Sequence, residues 1–262
     1  MQVQKNAYIW ALTTKNPTRK IMQKIKYLTI VFKNDLSLRE IPQFRGAVIA
    51  CAGREHVLFH NHTDEGHRYA YPLIQYKRIG NKAGLVCLQD GVHEIHAFFQ
   101  SRPQPMRIGE RTVTPEVERL NMNEVTLQAW DKLFDYRINN WLALKREHYE
   151  AYQDMPDEAE RLRFLSTILR GNILSMAKGL GWFIDREVQV HLEHVSPLRL
   201  MHFKGTQLSA FDMQFQTNVW LPEYIGLGKG AALGFGMVQK RKMTRGAPKD
   251  ETGADLPGSS AE

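Results

Sequence analysis

Residues 226 to 236 read Gly226-Leu227-Gly228-Lys229-Gly230-Ala231-Ala232-Leu233-Gly234-Phe235-Gly236, five glycines in eleven positions. Glycine lets the backbone turn tightly and lets N–H groups approach a phosphate. Two nucleotide folds would use such a stretch, and both fail. A dinucleotide fingerprint counted from Gly226 requires a glycine where Ala231 stands, and the segment runs into strand-like Met237-Val238-Gln239-Lys240 instead of a helix. A phosphate loop requires Gly-Lys-Ser or Gly-Lys-Thr, and Lys229 is followed by Gly230. What remains from the glycines alone is a phosphate-approaching loop or a tight β-turn with bulges. The fold is decided by what surrounds it.

Working outward, residues 187 to 219 read as strands and Met237 to Lys242 as a last one. Before them, Asp157 to Lys178 has helical periodicity, with Asp157 at the cap, Glu160 three residues on and a stop at Gly179 and Gly181. Trp141 to Tyr152 predicts another helix, and 126 to 138 a strand. The first half has the same order. Lys26 to Phe32 is β-branched and aromatic, 39 to 52 spaces Ile41, Phe44, Val48 and Cys51 as a helix does, and Val57 to His62, Tyr71 to Tyr76 and Leu85 to Leu88 read as strands. A short helix follows Gly91, and Met106 to Val117 reads as a strand. This is an α+β chain with two tandem ferredoxin-like domains. The expected divisions are an N-terminal extension over 1–23, domains over 24–120 and 121–245, and a disordered tail over 246–262.

The 262 residues carry 35 Lys and Arg against 28 Asp and Glu, a net charge of +7. Residues 1 to 108 hold 16 basic and 7 acidic residues (+9), 109 to 184 hold 10 and 12 (−2), and 185 to 262 hold 9 and 9. The tail contributes one Lys and four acids, so 185 to 245 carry +3. A polyanion partner fits this distribution. No window approaches a membrane span, and the N-terminus lacks the pattern of a secretory leader. A cytoplasmic chain is expected, with Cys51 and Cys87 as reduced thiols.

Gly-hydrophobic-Gly, five residues, then Gly-hydrophobic-Gly before a final basic strand resembles the signature loop of the RAMP superfamily. More narrowly, Phe59-His60-Asn61-His62, Tyr71-Pro72-Leu73-Ile74-Gln75-Tyr76-Lys77 and Thr217 to Lys229 resemble the CRISPR-associated endoribonucleases that cut precursor CRISPR RNA within its repeats. The resemblance spans about residues 24 to 243. It implies two RRM-like domains with a basic cleft, CRISPR repeat RNA as partner and no cofactor. It also implies metal-independent cleavage, in which the RNA's 2′-hydroxyl attacks the adjacent phosphate to give 2′,3′-cyclic phosphate and 5′-hydroxyl ends. A CRISPR effector complex would be a further partner, and monomer and homodimer both stay open. A non-catalytic subunit that holds the repeat is the alternative.

Such cleavage needs a base, an acid and help for the charged intermediate. Histidine suits the first two. Read on a strand, His60 and His62 share a face with Cα atoms roughly 6.6 Å apart at about 3.3 Å per residue, and the resemblance implies catalytic histidines in this region. Lys77 is the expected cationic helper, with Tyr69 and Tyr71 weaker. Phosphate contacts are expected from the backbone at Gly226, Gly228, Gly230, Gly234 and Gly236, and from Lys229, Lys240, Arg241 and Lys242. Arg54, Arg68, Arg78 and Lys82 are further candidates. A zinc site from His56, His60, His62 and His67 is the rival, but no acidic or cysteine partner at a familiar spacing completes it, and no metal is expected.

Overall fold

The computed structural model describes residues 23–60, 62–63, 66–67, 71–100, 105–203 and 205–241. The first half runs β1 (Gln23–Asp35), a 3₁₀ turn (Leu38–Glu40), α1 (Ile41–Ala52), α2 (Val57–His60), β2 (His62–Thr63), β3 (Gly66–His67) and β4 (Ile74–Ile79). It continues through β5 (Lys82–Leu88), α3 (Asp90–Glu94), α4 (His96–Gln100), β6 (Met106–Ile108), β7 (Arg111–Val113) and β8 (Val117–Leu127). The main strands form an antiparallel sheet in the order β4-β5-β1-β8, which is the ferredoxin-like arrangement.

β1 is buried on both faces because its alternate residues are apolar on both sides. Leu28, Ile30 and Phe32 face a helical layer that supplies Phe44, Val48 and Phe98. Phe32 meets Phe44 and Phe98 edge-on at 6.0 and 6.1 Å. On the opposite face Ile25 and Tyr27 join a different core, shared with Tyr136, Trp141 and Phe215 of the second half. The two halves therefore have one continuous apolar boundary.

The second half runs β9 (Ala129–Trp141), α5 (Arg146–Asp154), α6 (Glu158–Gly179), β10 (Val190–Val195), β11 (Arg199–Phe203), β12 (Thr206–Val219) and β13 (Met237–Lys240). Its sheet order is β10-β12-β9-β13, with β11 beside β12. Counted within each half, both sheets run second, third, first, fourth strand. Asp157 caps α6 as its sequence predicts, its carboxylate accepting from the Glu160 N–H at 2.6 Å. One element differs: between β12 and β13, where the ferredoxin-like pattern has its second helix, stands the glycine-rich segment.

Four local expectations are corrected. Val57 to His62 is not one strand: a tight turn, with the His56 N–H on the Gly53 carbonyl at 3.4 Å, leads into the helical residues Val57–His60, and pairing resumes only at His62. The shared strand face for His60 and His62 goes with it. Trp141 to Tyr152 is not one helix, because Trp141, Leu142, Ala143 and Leu144 are all buried in extended chain and Leu142 bridges to Lys229. Met106 to Val117 is a hairpin turning at Gly109 (φ 62°) before β8 begins. The division expected at 120/121 falls inside β8, which pairs with β1 from Val117 to Leu127. The extension over 1–22, the tail from 242, Arg68, Tyr69 and Lys242, and the side chains of His62 and His67, lie outside the described residues.

Candidate functional site

The glycine-rich segment is docked onto the first half along β4, the edge strand of its sheet. The Tyr76 N–H donates to the Ala232 carbonyl at 2.8 Å, and Tyr76 bridges Leu233 in parallel fashion. The segment thus covers a strand edge that would otherwise be open. Side chains complete the clamp. Gln75 Oε1 accepts from the Gly226 N–H at 2.8 Å, and the Tyr71 hydroxyl donates to the Gly226 carbonyl at 2.8 Å. Lys77 Nζ donates to the Ala231 carbonyl at 2.7 Å. Gln75 and Lys77 share one face of β4, as residues two apart must.

Lys77 departs from its expected role for this reason. Its side chain is 0% exposed, and burial pushes its ammonium down to about 7 from the ordinary value of 10.5. A lysine enclosed beneath the segment, with Nζ on a carbonyl, is a buckle between the halves and not a cation presented to a phosphate. Tyr71 is half-buried in the same contact, and the desolvation of its phenol raises the pKa.

The glycines are explained by close packing as much as by backbone freedom. A Cβ on Gly226 would stand 2.5 Å from the Ala231 carbonyl oxygen and 2.8 Å from Lys77 Nζ. At Gly236 (φ 59°) it would run into the Leu227 carbonyl. Gly226 and Gly236 are buried, and their N–H groups are committed to Gln75 and to the Asn140 carbonyl. Neither is presented to a phosphate, which corrects the expectation for those two. Gly228, Gly230 and Gly234 are half-buried, and Lys229 is exposed at the tip.

The histidine segment is tied to the same strand from the other side. The Tyr76 hydroxyl donates to the Phe59 carbonyl at 2.9 Å, so one residue holds the glycine segment by its backbone and the histidine segment by its ring. His60 is half-buried at the end of α2. Its Nε2 lies 2.8 Å from the Arg54 carbonyl, and its own carbonyl accepts from Arg45 at 2.6 Å. A carbonyl only accepts, so Nε2 carries a proton in that bond.

The other expected cations divide. Arg78 donates to the Leu36 carbonyl at 2.9 Å, and Lys82 to the Lys33 carbonyl at 2.7 Å with Asp35 3.0 Å away, so both brace the end of β1. Arg241 pairs with Glu193. Arg54 and Lys240 are exposed, the latter 4.3 Å above the Trp220 ring. Lys240 leads to a site the sequence reading missed. A cleft of about 410 Å³ between the halves is lined by Tyr27, Thr29, Arg119, Asn121, Asn123, Trp220, Tyr224 and Lys240, with Val125 and Glu223. Arg119, Asn121 and Asn123 alternate along β8 and so project to one side. That period-two run of polar residues was the available signal.

Among the described residues, no group of three or more His, Cys, Asp and Glu is placed to hold a metal ion, and no helix is long and apolar enough to cross a membrane.

Two ferredoxin-like halves locked together through a glycine-rich crossover define a tandem ferredoxin-like protein. Family models for the Cas6b N-terminal and C-terminal domains match residues 23–126 and 128–241, and the chain belongs to the Cas6b family. A crystal structure of Cas6b is 27% identical with a TM-score of 0.73, covering 84% of this chain and 100% of its own. A second, of the CRISPR RNA processing endoribonuclease Cas6b, is 27% identical with a TM-score of 0.62 over the same shares. An uncharacterised protein of Methanocaldococcus jannaschii is 33% identical over 101 residues, 38% of this chain and 67% of that relative.

Proposed function

We propose that this chain is an endoribonuclease that cuts precursor CRISPR RNA within its repeats, by attack of the 2′-hydroxyl on the adjacent phosphate and without a metal ion. The observation that carries the reading is the convergence on Tyr76, which fixes the histidine segment and the glycine segment to one strand. Imidazoles supply acid and base, so the transesterification needs no metal-bound water. His60 and His62 are the proposed residues for these roles. Gly228, Lys229 and Gly230 at the loop tip would approach the phosphate, and the cleft would carry an unpaired stretch of RNA, with Trp220 offering a ring for a base to stack on.

The test is incubation of the purified protein with its cognate repeat RNA, with and without EDTA. Cleavage that survives EDTA, ceases with a 2′-deoxy nucleotide before the cut and falls by about 10²-fold or more in His60→Ala is expected. Cleavage of the deoxy substrate would overturn the mechanism. Repeat binding with no cut at all would replace it with a holding role.

A further inference from the structure

The glycine-rich segment also walls a second depression, of about 250 Å³, which shares no lining residue with the cleft. Its lining includes Leu38 and Arg39 of the 3₁₀ turn, Ile41 at the start of α1, Leu200 on β11, and Gly234 and Phe235 of the segment itself. Ile41 and Gly234 meet closely there: a Cβ at Gly234 (φ 80°) would stand 2.6 Å from Ile41 Cδ1. Two of the walls are leucines left in water, Leu38 44% and Leu200 60% exposed. Single exposed leucines need no explanation, but two from different halves lining one depression do. Arg39 is the cation of this site and is exposed. Among the described residues no carboxylate pairs with it, whereas Arg111, Arg199 and Arg241 each hold one.

We propose that this depression is a nucleotide subsite, which takes one unpaired base of the repeat RNA between Leu38 and Leu200 while Arg39 pairs with a flanking phosphate. The proposal rests on the repeat-RNA reading above. A volume of about 250 Å³ lies below the roughly 300–1,000 Å³ of sites for drug-sized ligands, which suits a single ring system. A base offers apolar faces to the leucines and to Phe235. Its phosphate, one sugar away, carries the charge that a guanidinium takes in two parallel hydrogen bonds. A paired base stays stacked inside its duplex, so the subsite selects an unpaired nucleotide. An apolar segment of a second protein would fill the walls and leave Arg39 unanswered. Because the walls come from both halves and from the glycine-rich segment, the subsite exists only while the halves are joined.

The test is an abasic scan. Kd is measured for repeat RNAs that each lack one base, against the wild type, Leu200→Ala and Arg39→Gln. The RNAs carry a 2′-deoxy nucleotide before the mapped cut, or are unmodified where no cut occurs. In the wild type, removing the base at one unpaired position is expected to weaken binding about fivefold or more. That loss should shrink about threefold or more in Leu200→Ala. Arg39→Gln should weaken all the RNAs alike and lower the slope of log K against log salt by about 0.7. Both side chains are exposed, so thermal midpoints should not move. Equal abasic losses in the wild type and Leu200→Ala at every position overturn the subsite, whether or not the RNA is cut. An oligomer that dissociates in Leu200→Ala while the abasic losses stay equal overturns it in favour of a second copy of the chain. A wild-type protein that binds the repeat without cutting it would sink the endoribonuclease reading and leave the abasic comparison decisive. One that binds no repeat RNA overturns both.

Discussion

The two halves have the same strand order and differ in one crossover. In the first, the chain between the third and fourth strands includes the short helices α3 and α4, and Phe98 packs on the half's own sheet. In the second, the equivalent chain is the glycine-rich segment, which touches its own half at Asn140 and Leu142 and also bonds to Tyr71, Gln75, Tyr76 and Lys77 of the other half. A helix satisfies its backbone internally, whereas an irregular segment must find partners elsewhere. Replacing one helix by a loop in one copy thus converts a self-contained domain into half of a joint.

The largest way to break that contrast is Gly226→Ala. Its Cβ would meet the Ala231 carbonyl and Lys77 Nζ, and a loss of about 3 kcal/mol or more in denaturant unfolding is expected for such overpacking against backbone. Lys77→Met comes next. Because the folded pKa of Lys77 is about 7 against 10.5, the unfolded chain binds more protons between those values. Wild-type stability should therefore fall as pH drops from 10.5 to 7 and flatten below. Relative to Lys77→Met, the change across that window should be on the order of a few kcal/mol, read from melts at several pH values. Trp220→Ala should weaken binding of the deoxy repeat by roughly 1–3 kcal/mol in a filter or anisotropy assay. In the helical part of the second half, Asp157→Ala should cost about 1 kcal/mol by loss of the α6 cap. The smallest change sharpens the comparison from the other side: Gly171, exposed on α6 with nothing within 4 Å of an added Cβ, should gain about 0.5–1 kcal/mol as alanine.

The tandem ferredoxin-like fold was legible because its strands are long and apolar on alternating or continuous patterns, and because Asp157 and Glu160 mark a helix start. Residues 57 to 60 were not legible. Four residues are too few for either period to declare itself, and the turn at Gly53 to His56 decides the outcome. Nor does a sequence distinguish a lysine in water from one beneath another segment: Tyr71, Gln75 and Lys77 belong to a stretch whose resemblance points to catalysis, and three of its side chains hold the loop. His56 looked like one more zinc candidate because Glu94, its partner, is 38 residues away in the chain.

Tyr76 has one more consequence. Its N–H grips one segment and its phenol the other, so the gap between the histidines and the loop tip is set by the reach of a single side chain. Because both grips fall on main-chain carbonyls, those of Ala232 and Phe59, such a caliper does not depend on which side chains those two positions carry.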